Sequence, residues 1–179
     1  MNDTRRQSYN GPYTLNFNEF KYKDDINYHG ANVDIPEVAG IYCMYSVKIV
    51  NGDRRVNRLE YIGKALNLKT RIREHCRVPD LDVDGRPVDK NASPSEYLYN
   101  HDDPKAECFY TYASLDGRSI ASCEAALIKK FKPEINTKYM KSLGCHDSAM
   151  VLIVGEYVYG SMVVGTYFID KDNVNYQVT

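Results

Sequence analysis

The sequence predicts one α/β (α+β) domain in which a small antiparallel sheet is flanked by helices, and three patterns lead there. A β-branched and aromatic run, AGIYCMYSV (39–47), is followed by the turn signal NGD (51–53) and a return run, VNRLEYIG (56–63), which together make an antiparallel hairpin. Leu68, Ile72 and Cys76 recur every four residues behind Asn67, a side chain suited to cap a helix. A second helical run, SIASCEAALIKKF (119–131), stops before Pro133. The 179 residues, 43% of them hydrophobic, suffice for one core and leave little room for a second.

Taken in order, residues 1–35 are polar with few periodic apolar positions. They read as an N-terminal extension, a mobile tail followed by irregular structure. The hairpin and the first helix open a core spanning 36–140. The stretch VPDLDVDGRPVDKNASPS (78–95) is a long loop by its Pro, Gly and Asp content, and SPSE opens a short helix with a capping-box pattern. ECFYTYASL (107–115) is the third strand, and Asp116-Gly117 turns the chain into the second helix. Residues 141–179 form a C-terminal β extension of the same domain. In it AMVLIV (149–154), YVYG and SMVVGTYFI (161–169) supply at least one further hairpin, which either extends the sheet or forms a subunit interface.

Composition narrows the function classes. The N-terminus carries no apolar run of signal-peptide type, and no segment approaches the roughly 18 apolar residues that a membrane span requires, so a soluble, cytoplasmic protein with no membrane partner is expected. Five cysteines without C-x-x-C spacing imply neither a disulfide framework nor a zinc site. The formal charge is only -1, but it is unevenly spread. Residues 48–77 carry nine Lys and Arg against three acids, a net +6, and residues 78–107 carry three against eight, a net -5. The first block is a local anion-attracting surface.

Two placements carry chemistry. Arg71 and His75 are four residues apart on the first helix, so they share a face and can point at one target. Glu124 falls inside the apolar stripe Ile120, Leu127, Ile128 and Phe131 of the second helix. A carboxylate there needs a cation, a metal or a cavity, because an unpaired buried charge costs several kcal/mol or more. Periodicity alone leaves open whether it holds a metal or lies at the edge of the stripe and reaches a lysine.

Taken together, GIY at 40–42, YIG at 61–63, Arg71 ten residues after Tyr61, His75 four further on, the E-x-x-L-I helix beginning at Glu124 and the K-P-x-x-N run ending at Asn136 resemble the GIY-YIG nuclease family over residues 38–138. The resemblance is to its compact, restriction-endonuclease-like members. It implies hydrolysis of a DNA phosphodiester assisted by Mg2+ (or Mn2+) held by Glu124. In the resembled site Arg71 stabilises charge on the phosphate. Tyr42 or Tyr61 is the general base, the choice being open, with Lys64, Arg71 and His75 as the cations that stabilise its phenolate. Asn136 bonds backbone or scaffold nearby. Lys64 resembles the lysine that follows YIG in the nucleotide-excision-repair nuclease subunit.

The eighteen residues between Tyr42 and Tyr61 exceed the family's usual link, which gives the hairpin a basic tip. Arg54, Arg55 and Arg58 there, and Arg73 on the helix, are expected DNA contacts. The chain has no room for a separate DNA-binding domain, so specificity falls to insertions, termini, a homodimer or a partner. The expected function is a sequence-specific type II restriction-like endonuclease. The alternatives are a structure-specific repair or recombination nuclease and a catalytically silent DNA-binding or interaction module.

Overall fold

The computed structural model describes residues 10–22, 34–76, 83, 108–139, 148–156, 158–159, 161–169 and 174–178. Within them the chain is a mixed α/β (α+β) structure. The elements are β1 (Asn10–Asn16), β2 (Asn18–Tyr22), β3 (Gly40–Val50), β4 (Asp53–Ala65), α1 (Leu68–Cys76), β5 (Cys108–Ser114), α2 (Ile120–Phe131), α3 (Glu134–Tyr139), β6 (Ala149–Val154), β7 (Gly165–Ile169) and β8 (Val174–Val178). The strands form two sheets, in the orders β1-β6-β7-β8 and β2-β5-β3-β4.

The expected hairpin is longer at both strands than its apolar runs. Asn51 and Gly52 both have positive φ, 55° and 87°, which is the geometry of a two-residue turn whose twist matches the flanking strands. Strand β3 is central and its side chains alternate between two cores. Ile41, Cys43 and Tyr45 enter a core shared with α2 and both sheets, while Tyr42 and Met44 enter a second one with Leu68, Ile72, Tyr110 and Ile135. Strand β4 does not alternate in step. Val47, Tyr45 and Cys43 stand opposite Val56, Leu59 and Ile62, two residues against three, because Asn57 and Glu60 are bulged out of register.

Helices α1 and α2 are each bounded by a visible signal. The Asn67 side chain accepts from the Thr70 amide at 3.0 Å at the start of α1. Lys132 adopts the left-handed conformation after α2, its amide bonding the Ile128 carbonyl, and Pro133 follows. No helix among the described residues is long and apolar enough to cross a membrane.

Three expectations change. The region taken as a tail and irregular structure contains β1 and β2. Its alternation is present but short, with Tyr13, Leu15 and Phe17 inward and Thr14 and Asn16 exposed, and intervening asparagines dilute it. One small antiparallel sheet becomes two sheets, and the first contains a parallel pair, β1 beside β6. The C-terminal hairpin does not extend the hairpin sheet. β6 and β7 build the other one, and β7 begins only at Gly165, so the SMVV part of the run lies before the strand. The long loop 78–95 and its short helix lie outside the described residues, apart from Val83.

The N-terminal segment changes sheet within one residue. β1 pairs with β6, β2 pairs with β5, and Phe17 sits between them fully buried in the core shared by both sheets. Phe17→Ala is therefore expected to cost about 3–5 kcal/mol, the range for emptying a buried aromatic site. Urea denaturation measures it, and a loss below about 1 kcal/mol would mean that the two sheets are not joined through this side chain.

Candidate functional site

The second bulge in β4 decides which side chains meet. With Glu60 out of register, Tyr61 stands opposite Met44 and Gly63 opposite Tyr42, so both tyrosines lie on one face of the sheet. Gly63 is required by their closeness. A Cβ there would lie 2.4 Å from Cζ and Oη of Tyr42 and 2.6 Å from Cε1 of Tyr61, far inside any real contact. Gly40 has a similar reason, since a Cβ would lie 2.3 Å from the Ala113 carbonyl oxygen. The glycines of both tripeptides are thus sites of close approach.

Helix α1 lays His75 over this pair. The three ring centroids are 5.9 Å apart for Tyr42 and Tyr61, 5.5 Å for Tyr42 and His75, and 6.0 Å for Tyr61 and His75. Tyr42 Oη and His75 Nε2 are 2.7 Å apart, and both residues are buried, whereas Tyr61 is half-buried. Burial pushes the Tyr42 phenol well above its ordinary value of 10, Tyr61 adds to the rise, and Arg71 opposes it. Burial, with the Arg71 charge acting in the same direction, pulls His75 down to about 3, so its imidazole is neutral at ordinary pH. Arg71 is exposed enough to meet a ligand and is steadied by Glu74 at 3.0 Å.

Lys64 leaves β4 on the opposite face, opposite Ile41. Its ammonium lies 2.6 Å from Glu124 Oε2, on the face away from the two tyrosines. Glu124 is 7% exposed, among Ile120, Cys123, Ala126, Leu127 and Ile128 on the buried face of α2. The cation that its position in the stripe demanded is therefore Lys64. Both halves of the site flank β4, an edge strand of its sheet. Asn136 covers that edge at one point. Its side-chain oxygen accepts from the Ile62 amide at 2.7 Å and its amide donates to the Ile62 carbonyl at 2.9 Å, as a neighbouring strand would. Its role is to hold the strand between Tyr61 and Gly63.

The other basic residues divide. Arg55 is exposed near the hairpin tip, and of the Arg54 side chain nothing is described. Arg58 is engaged within the protein, bonding Glu60 at 2.8 Å and Glu134 at 2.9 Å. Arg73 is two residues from both Arg71 and His75, hence on another side of α1, where it lines a cleft with Glu37, Lys69, Thr70 and Glu74.

Two participants escaped the sequence argument. Glu60, 1% exposed, accepts from Ser46 Oγ at 2.7 Å and from Arg58, tying both bulges to β3. Lys48 stands directly opposite Arg55, a like-charge pair of exposed side chains. The signal for Glu60 was the spacing of three between Val56, Leu59 and Ile62, which a strand can bury on one face only by bulging.

A metal ion would find one carboxylate here. Among the described residues no group of three or more His, Cys, Asp and Glu is placed to hold one. Glu124 fits a hard divalent ion only as a single protein ligand completed by water and substrate oxygens.

The His75 shift sets a pH dependence. Its pKa falls from 6.5 in the unfolded chain to about 3 in the folded one, so between those values the unfolded state binds the extra proton. Stability then falls as pH drops through that window. Urea midpoints measured from pH 7 to 3.5 are expected to decline less steeply for His75→Gln than for the parental chain. Equal slopes would mean that His75 titrates normally.

Comparisons with family models, with curated proteins and with solved structures found no match to this chain.

Proposed function

We propose that the protein is a divalent-metal-dependent DNA endonuclease that hydrolyses phosphodiester bonds, of the GIY-YIG kind and restriction-like in its specificity. The observation that carries this reading is the packing of Tyr42, Tyr61 and His75 around Gly63 beside Arg71. It is supported by a carboxylate, Glu124, held at the other side of the same edge strand.

The chain's own groups divide the work. Arg71 binds the phosphate, and its planar, permanently charged fork suits the charge that grows on the phosphate oxygens during attack. The attacking water gives its proton to the tyrosine pair as the Tyr42 hydroxyl passes its own to His75 Nε2, 2.7 Å away, in the tautomer that carries its hydrogen on Nδ1; burial leaves this imidazole a weak acceptor until an anion binds beside it. A phosphate anion beside the imidazole raises its pKa and so favours that transfer. Tyr61 and the Gly63 backbone orient the water, and the walls of the second core limit access of other solvent. Glu124 would hold a divalent ion, which when bound would supply Lewis-acid stabilisation of developing negative charge.

DNA contact extends along the hairpin. Strand β5 is paired with β3 from Gly40 to Ser46, and among the described residues the arm Val47–Val50 has β4 as its strand partner. Lys48 lies six residues from Tyr42 on the same side of β3, about 20 Å away at roughly 3.3 Å per residue. Facing Arg55, it makes a like-charge pair that an anion would relieve. A duplex backbone supplies anions at that reach.

Nicking of a supercoiled plasmid with Mg2+ tests the reaction, and discrete fragments from a long duplex test sequence specificity. DNA binding without any cleavage would instead favour a silent binding module. Arg71→Ala is expected to fold and to lose on the order of 100-fold or more in cleavage rate, as for deletion of a charge that stabilises the transition state. A folded variant that cuts at the parental rate overturns the assignment.

Replacing Lys48 and Arg55 together with Ala is expected to weaken DNA binding. It should also reduce the slope of log affinity against log salt by about 2, roughly one per lost phosphate contact. Fluorescence anisotropy over a salt series measures it, and an unchanged slope removes the arm from the interface.

A further inference from the structure

The Lys64–Glu124 pair occupies the atom that a metal would need. Lys64 Nζ is 2.6 Å from Glu124 Oε2, a donor directly on the ligand oxygen. The carboxylate side chain is 9% exposed and that of Lys64 39% exposed, so of the two partners the lysine is the one open to solvent. Ile120, Cys123, Ala126, Leu127 and Ile128 are buried on the same helix and offer no cation. A carboxylate in such a place without a counter-charge would be strongly unfavourable. A lysine is suited to a temporary post, because its compact charge sits on a flexible four-carbon stem and can be withdrawn without moving the backbone.

We propose that Lys64 is the exchangeable counter-cation of Glu124. It stabilises the carboxylate in the metal-free protein, yields the oxygen to an arriving divalent ion, and turns its released ammonium to the substrate phosphate. The proposal rests on Glu124 being the metal ligand. Its consequence is a coupling between ligands. In the DNA-free protein a metal must displace the lysine and then tolerate its charge nearby. With DNA present the phosphate takes that charge, so metal and DNA each tighten the other's binding. Metal without substrate is held weakly, which keeps the site from being fully armed in the absence of DNA.

The test measures binding of Mn2+ by calorimetry on the DNA-free chain, together with thermal denaturation with and without millimolar Mn2+. Lys64→Met is expected to bind Mn2+ about tenfold tighter than the parental chain, within the usual range of such couplings. It should unfold at a lower temperature without metal and recover with Mn2+, because the ion replaces the missing charge. Lys64→Arg, which keeps the charge and the fold and grips a carboxylate with two donors, is expected to bind Mn2+ severalfold more weakly than the parental chain. Glu124→Gln is expected to abolish the Mn2+ effect in both assays.

The metal site and the lysine exchange are separable by outcome. If Glu124→Gln binds Mn2+ as well as the parental chain, Glu124 is not the ligand and the proposed metal site falls with the exchange; if no variant binds Mn2+, removal of Lys64 does not open the carboxylate and the exchange is overturned. If Glu124→Gln loses Mn2+ while Lys64→Met binds it no tighter and Lys64→Arg no more weakly, the metal site stands and the exchange is overturned. A Lys64→Met chain too unstable to assay leaves the decision with Lys64→Arg.

Discussion

The rest of the structure depends on the uneven pairing of β3 with β4, two residues against three, repeated twice. In a regular ladder Val56, Leu59 and Ile62 would point to alternating faces, and a slip of one residue turns every later side chain over. The bulges at Asn57 and Glu60 let all three enter one core and still bring Tyr61 and Gly63 to the face of Tyr42. Lys64 then falls on the face of α2, where Glu124 waits. The Ser46 hydroxyl fixes the arrangement, receiving from the Asn57 amide at 3.3 Å and donating to Glu60. A buried Glu60 is tolerated because Ser46 and Arg58 both satisfy it, and Arg58 extends the link to Glu134 at the start of α3.

Electrostatics divides the site into halves stabilised in opposite ways. On one face Tyr42 and His75 are kept neutral by burial. On the other face a charge is enclosed and matched by Lys64. Arg71 stands at the margin, half-open to solvent and steadied by Glu74, and so keeps donors for an arriving anion. The arrangement resists its own charges until a ligand brings new ones. The cysteines nearby take no part in this. Burial raises the thiols of Cys43 and Cys123, the latter to about 12, so both remain protonated packing residues.

How much was legible varies with the physics behind each element. The hairpin, α1, β5 and α2 announced themselves because one strong local signal coincides with burial in each: the Asn51-Gly52 turn, the Asn67 cap, the aromatic run and the Pro133 stop. β1 and β2 were missed because β1 buries only part of its length, and asparagines in both look like loop composition. Their order comes from partners far ahead in the sequence, in β6 for β1 and in β5 for β2. In the site, periodicity identified Arg71 with His75, and Glu124 as a carboxylate needing a partner. It could not say that Lys64 is that partner, since sixty residues separate them. Nor could it show that Arg58 is spent on Glu60 and Glu134 while Lys48 and Arg55 remain outward.

The same bulges bear on how far the site can reach. Each bulge sharpens the local right-handed twist and bends the strand that carries it, and both lie between the tyrosines and the hairpin tip. The direction of the arm is therefore set by the residues that also set the faces of Tyr61 and Gly63. Ile49, 63% exposed, and Val50 show that the tip is not packed onto the body. Its orientation must come from the strand itself, through Ser46, Asn57 and Glu60. If Lys48 and Arg55 hold the DNA backbone as proposed, the position of the cut relative to that grip is fixed by the ladder geometry of β3 and β4. Removing the Glu60 side chain would loosen the register before it touched any catalytic atom. Cleavage would then lose precision of position sooner than it lost rate, which separates the part of Glu60 from that of Arg71.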